Sequence, residues 1–242
     1  MRHVDLVMGI PMSVDIRHDD EGRARHAARA AFDGMHDADR RFSRFRPDSE
    51  VSRYGRGECE QPSADLREVL AVAARFEAAS GGAFRIWRPD GTIDTDGVVK
   101  GWAAQRAADS LVAAGMTTFC LNAGGDVVVR GEPDPGRGWS VGVREPADPT
   151  AFLTVLAVRD GAVATSGTYE RGEHVWDGRT GAPATGLLSA TVVAADLTTA
   201  DVLATCVLAL GPDGVPWAAQ HGAAAVVAVR ADGQVLTGSR EA

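Results

Sequence analysis

The chain has 242 residues, with 33 acidic and 25 basic side chains and a formal charge of −8 with histidines neutral. Hydrophobic residues make up 45% and charged residues 24%, a balance that argues against a disordered chain and for a real core in one large domain or two small ones. An acidic chain with thinly spread arginines repels a phosphate backbone, so nucleic acid is not an expected partner and any phosphate-bearing ligand needs local help. No window approaches the roughly 18 to 20 consecutive apolar residues that span a bilayer, and residues 1–12 lack the basic flank and apolar core of a signal peptide. The expectation is no membrane insertion and a cytoplasmic protein. Cys59, Cys120 and Cys206 share no CxxC spacing and read as reduced and structural.

In chain order, residues 4–16 mix β-branched and polar residues around Gly9-Ile10-Pro11 and predict one strand with a bend. Ala24, Ala28, Ala31, Met35, Ala38 and Phe42 then recur at steps of three and four, which predicts a long amphipathic helix. Ser63 is the expected cap of a helix with Leu66, Val69, Leu70, Ala73 and Phe76 on its apolar stripe, ended by Gly81-Gly82. A further helix is predicted over 102–114, stopping at Gly115. The period then changes to two, and strands over 118–121, 126–130, 139–144, 153–158 and 162–165 predict a hairpin meander. A strand over 190–195, a helix over 200–210 capped by Thr199 and closed by Gly211-Pro212, a short helix over 215–220 and a hairpin around Asp232-Gly233 complete the chain. Helices and strands come in blocks rather than in strict βαβ alternation, so the predicted class is α+β, and no repeat or linker divides residues 1–242.

Polar and glycine clusters fall at Asp94-Thr95-Asp96-Gly97-Val98-Val99-Lys100-Gly101, Asn122-Ala123-Gly124-Gly125-Asp126, Thr165-Ser166-Gly167 and His174-Val175-Trp176-Asp177-Gly178-Arg179-Thr180-Gly181. Each has a functional and a structural reading. Residues 94–101 are a ligand loop with Lys100 as its charge, or a hairpin turn leading into a helix. Gly124-Gly125 is a backbone surface for phosphates or a tight turn; neither P-loop nor GxGxxG spacing is present. His174, with Asp177 three residues on, is a positioned general base or a structural histidine. Ser166 lies in no GxSxG elbow, which leaves a hydrolase triad with little support. Asp201 and Thr205, four residues apart on one helical face, are hard ligands of the kind Mg²⁺ accepts, or Asp201 is simply a favourable first-turn acid.

Taken in order, these clusters resemble the FAD:protein FMN transferase (ApbE) family along nearly the whole chain. The resemblance is carried by Met8-Gly9-Ile10-Pro11, the run from Phe42-Ser43-Arg44-Phe45 to Ser49-Glu50-Val51-Ser52, Gly81-Gly82-Ala83-Phe84, residues 94–101, Asn122 with Gly124-Gly125-Asp126, Ala164-Thr165-Ser166-Gly167, residues 174–181 and residues 200–205. It implies a single T-fold-related domain of antiparallel sheets packed with helices. It also implies a Mg²⁺-dependent transfer of FMN from FAD to a Thr or Ser hydroxyl of an acceptor protein, with release of AMP; Mn²⁺ is an alternative ion. By the same resemblance Asp201, Thr205, Gly97 and Ala204 are metal positions. Met8, Phe45, Ala83, Phe84, Arg85, Asp94, Lys100 and Val175 line the FAD site, and His174 is the base. The Gly124-Gly125 amides are further candidates for holding phosphate oxygens.

The physical chemistry agrees, because an acidic protein holds a dianionic diphosphate only with a cation to offset the charge, and a hydroxyl needs activation to be nucleophilic. Water in place of the hydroxyl makes the same site an FAD pyrophosphatase, and loss of activity leaves a non-catalytic FAD-binding protein. The chain departs from the family pattern at three places. Arg85 stands where an acid is usual and only residues 85–92 replace a long insertion; Phe45 stands for a common Tyr; Asp177-Gly178 replaces Asp-Pro.

Overall fold

The computed structural model describes residues 1–168 and 175–240. Twelve strands and six α-helices make up the described fold. The strands are β1 (Arg2–Val7), β2 (Ile10–Ile16), β3 (Phe119–Ala123), β4 (Asp126–Arg130), β5 (Trp139–Glu145), β6 (Asp148–Val158), β7 (Gly161–Gly167), β8 (Trp176–Asp177), β9 (Ala182–Pro183), β10 (Leu187–Ala194), β11 (Ala225–Arg230) and β12 (Val235–Ser239). The helices are α1 (Glu21–Phe42), α2 (Glu50–Gly55), α3 (Ala64–Ala79), α4 (Asp96–Ala113), α5 (Leu197–Leu210) and α6 (Gly214–Gln220). Eight strands form one antiparallel sheet in the order β1-β2-β3-β4-β7-β10-β11-β12, consistent with the α+β class expected from the sequence.

The helices follow local rules. Asp20 accepts from the Arg23 N–H to cap α1, whose Ala24, Ala28, Ala31, Met35, Ala38 and Phe42 stripe is buried. Ser63 caps α3 by accepting from the Leu66 N–H. For α5 the cap is Asp196, which accepts from the Thr199 N–H at 2.8 Å; Thr199, the expected cap, lies inside the first turn. Helix α4 packs between α1 and α5, and α5 lies on β7 and β10, so the main core fills one face of the sheet. On the opposite face the β5–β6 ribbon places Trp139 and Val141 over Val127, Val129 and Val163, a second small core.

Several expectations change. Residues 4–16 are a hairpin rather than one bent strand, because Met8 (φ 53°) and Gly9 (φ 73°) turn the chain between β1 and β2. The meander is interrupted: β5 and β6 pair only with each other, and β4 pairs with β7. Helix α4 begins at Asp96, six residues before the expected start, which moves residues 96–101 from a loop into its first turns. The stretch Leu197–Gln220 is long and apolar enough by composition to cross a membrane, with mean hydropathy 1.4, although Thr198, Thr199, Asp201, Thr205 and Asp213 break any continuous apolar run within it. It is interrupted by a 3₁₀ turn at Gly211–Asp213 and forms the centre of the core. The three cysteines are free thiols, and burial pushes Cys120 up to about 11.

Gly101 sits where α4 and α5 cross. A Cβ there would lie 2.7 Å from Asp201 Cβ and 2.8 Å from the Leu197 carbonyl oxygen, and a backbone oxygen cannot move aside as a flexible side chain can. Gly101→Ala gains about 1 kcal/mol of helix propensity and loses about 1–3 kcal/mol to overpacking. The expected outcome is a net loss of stability in urea unfolding; an unchanged or higher midpoint would show that the helices separate freely.

Candidate active site

The turns and helix ends at one end of the sheet converge on a cleft. One chamber, 290 Å³, is lined by Phe45, Ala83, Phe84, Arg85, Asp94, Gly97, Lys100, Gly124, Val175, Asp201 and Thr205 among the residues singled out from the sequence. Met8 lines an adjoining chamber of 400 Å³ that shares Phe45, Asp96 and Lys100 with the first. Ala204 is fully buried in α5 and lies outside the residues that line either chamber. His174 lies outside the described residues; Gly167 and Val175, on either side of that segment, both line the cleft.

Lys100 is the electrostatic centre. Its ammonium contacts Asp126 and lies 3.1 Å from Asp201 Oδ1, and the two carboxyl side chains are each 3% exposed. The other oxygens are also engaged: Gly101 N–H donates to Asp201 Oδ2 at 2.9 Å and Thr165 N–H to Asp126 Oδ1 at 2.9 Å. Burial disfavours a charged lysine, but Asp126 and Asp201 outweigh it and hold the ammonium above the ordinary lysine range. At Asp201 burial dominates, and despite Lys100 the carboxyl stays above the ordinary carboxylate range.

One helical turn along α5, Thr205 Oγ1 donates to the Asp201 carbonyl at 3.2 Å and pairs with Ser166 Oγ at 3.1 Å. The glycine at position 97 keeps this wall open, since a Cβ there would approach the Phe84 ring to 3.2 Å and Thr205 Cγ2 to 3.7 Å. The side chains that meet here, the Asp201 carboxyl and the Thr205 hydroxyl, are hard oxygen donors of the kind Mg²⁺ accepts. Among the described residues no group of three or more His, Cys, Asp or Glu side chains is placed to hold a metal.

The opposite wall is built from charge pairs that sequence reasoning missed. Arg44 Nε donates to Asp96 Oδ2 at 3.0 Å and lies 3.5 Å from Asp94 Oδ1, while Arg88 pairs with Asp94 from the other side. Asp94 Oδ1 in turn accepts from the Asp96 N–H at 3.1 Å at the start of α4. Phe45 is 74% exposed, with the Arg44 guanidinium 4.2 Å from its ring centre. The sequence assigns Asp126 no role, and its position beside Lys100 supplies one. At the glycine turn, Gly124 lines the cleft, and the Gly125 N–H donates to Asn122 Oδ1 at 2.9 Å.

The shortened segment is compensated locally. Arg85, in the place of the expected acid, pairs with Glu77 at 3.2 Å. Gly178 N–H donates to the Ala83 carbonyl at 2.8 Å, and a Cβ at 178 would come within 2.4 Å of the Gly82 oxygen. Glycine rather than proline at 178 therefore lets the β8 region close against the wall.

Residues 8–87 and 86–227 match the model of the ApbE family. The chain belongs to the ApbE family. Among curated relatives, an FAD:protein FMN transferase of Rhodobacter capsulatus is 33% identical over 183 residues, covering 71% of this chain and 35% of that protein. One of Klebsiella pneumoniae (strain 342) is 32% identical over 135 residues, covering 52% of this chain and 39% of that protein. The chain thus spans little more than a third of the length of these relatives. Among solved structures, the ApbE protein of Thermotoga maritima superposes with a TM-score of 0.87 at 23% identity, covering 98% of this chain and 96% of that one. The flavin transferase ApbE from Vibrio cholerae gives 0.84 at 20%, covering 99% and 97%. At these identities the structures establish the ApbE fold.

Removing Asp126 leaves the Lys100 ammonium with one partner in a buried setting. Asp126→Ala is expected to cost about 3 kcal/mol in urea unfolding; a loss below about 1 kcal/mol would show that the pair behaves as a surface ion pair.

Proposed function

We propose that this cleft binds FAD and transfers its FMN half to a Thr or Ser hydroxyl of an acceptor protein, with AMP as the leaving group and Mg²⁺ as the required ion. The observation that carries the reading is the convergence of Asp201, Thr205 and Lys100 on one cleft in a chain whose family relatives carry the name FAD:protein FMN transferase. In the proposed reaction the acceptor oxygen forms a bond to the FMN phosphorus and the bond from that phosphorus to the AMP oxygen breaks. The hydroxyl proton passes to a base, a role assigned to His174 by family resemblance, and AMP departs with the bridging oxygen.

Asp201 and Thr205 side chains, with the Gly97 carbonyl, would hold the ion; Ala204, a metal position by family resemblance, lies behind the chamber lining. Bound there, Mg²⁺ supplies positive charge that stabilises the diphosphate and the departing oxygen. The residues of the chain supply the rest. Lys100 brings the fixed positive charge nearest to Asp201, as a point charge on a flexible stem suited to phosphate oxygens. Phe45 offers an exposed aromatic face shared by both chambers, suited to stacking on a flat ring of the dinucleotide. Arg44 and Arg88 fix Asp94 and hence the start of α4, which keeps Gly97 and Lys100 in register. Two joined chambers suit a ligand with two ring systems linked by a diphosphate.

The test is mass spectrometry of a Thr-bearing acceptor protein incubated with the chain, FAD and Mg²⁺. The expected result is a mass increase of one phosphoester-linked FMN with stoichiometric AMP. Asp201→Ala or chelation of the ion should lower the rate by at least about 100-fold. AMP release with no change in acceptor mass would redirect the reading to FAD hydrolysis, and transfer that survives Asp201→Ala would refute the metal assignment.

A further inference from the structure

Lys100 is more fully engaged by the protein than a lysine waiting for phosphate would need to be. Asp201 Oδ2 accepts from the Gly101 N–H, which makes Oδ1 the oxygen more open to a cation, and the Lys100 ammonium already sits 3.1 Å from it. A divalent ion and an ammonium meeting at one buried oxygen repel each other, and the low effective dielectric of a site with 3% exposed carboxylates leaves that repulsion weakly screened. Asp126 differs from Asp201. It comes from β4 rather than α5, its Oδ1 is fixed by the Thr165 N–H at 2.9 Å, and its Oδ2 makes the closest contact with Lys100. Lys100 also lines both chambers, so open volume adjoins its flexible stem on the cleft side.

The geometry points to Lys100 as a displaceable internal counter-ion: it competes with a divalent ion for Asp201 Oδ1, and Asp126 is the pivot that retains the ammonium as it turns toward the diphosphate. This inference rests on the reading of the cleft as an FAD and Mg²⁺ site and adds an order to its charges. With both carboxyls ionised, the side-chain trio carries one net negative charge. A divalent ion alone turns the cluster positive, and a dianionic diphosphate restores the original balance. Ion and dinucleotide therefore favour each other, and by linkage each tightens the other by the same factor. Asp126 acts as a positioning residue, since it contacts Lys100 and not the reacting atoms.

The experiment titrates the full chain with Mn²⁺ as the probe, following the electron paramagnetic resonance signal of the free ion, with and without FAD. Sites abolished by Asp201→Ala define the binding counted. Without FAD, Lys100→Met should bind Mn²⁺ roughly tenfold or more tightly than the wild type, because the competing charge is gone. FAD should tighten Mn²⁺ binding roughly fivefold or more in the wild type and markedly less in the variant, which should also bind FAD more weakly. Lys100→Gln, which keeps a polar head, should follow the same order if the methionine variant folds poorly. A wild type that binds both ligands, with variant Mn²⁺ affinity equal to or below its own, overturns the displacement and leaves the cleft assignment standing. A wild type that binds neither ligand overturns the cleft assignment itself and the inference with it.

Discussion

The fold and the chemistry of this protein share one constraint: two buried carboxylates, on different elements, held by one ammonium. Isolated in an apolar interior, either carboxylate would be costly, and the cost is offset only when a cation and backbone donors are in place. Lys100, the Gly101 N–H and the Thr165 N–H meet that requirement. Meeting it joins the first turns of α4 to β4 and α5, which are distant in sequence. The same close approach that lets the Gly101 amide reach Asp201 leaves no room for a Cβ, so helix packing and the charge of the site are set by one residue.

Around that centre the antiparallel sheet acts as a frame that delivers turns to one end. The Met8-Gly9 turn, the Gly124-Gly125 turn, the end of β7 with Ser166 and Gly167, and the start of α4 all border the two chambers. A frame rigid through its strands can carry changed walls, and this chain has one. The 85–92 segment is short, Arg85 takes Glu77 as a partner, and the glycine at 178 lets β8 close over it. The wall is thus rebuilt from local contacts, and the Asp94, Lys100 and Asp201 positions remain in place behind it.

Much of the architecture was legible because it is local. The stripes of α1 and α3 and the Ser63 start of α3 follow from period and capping chemistry. The start of α4 was obscured by Gly97 and Gly101, which read as turn residues; Thr95, its N-cap residue, makes no side-chain cap bond. The Met8-Gly9 turn was obscured because a methionine at positive φ gives no turn signal. The independence of the β5–β6 ribbon depends on which strands meet across the sheet, information that alternation does not carry. In the site, residue types were legible and pairings were not. The Gly101–Asp201 contact spans 100 residues and the Arg44–Asp96 contact 52, so only the folded chain gives Asp126, Arg44 and Arg88 their parts. No single motif identified the chemistry, whereas their order along the chain pointed to the family.

The central claim is that diphosphate and divalent ion meet where Lys100 now joins Asp201. The most direct measurement is a crystal structure of the chain with FAD and Mn²⁺, located by anomalous scattering. The account predicts an anomalous peak bound by Asp201 and Thr205, with the Lys100 ammonium still on Asp126 and turned toward the FAD diphosphate. A peak elsewhere, or FAD bound in the cleft while Lys100 remains paired with Asp201, would contradict it.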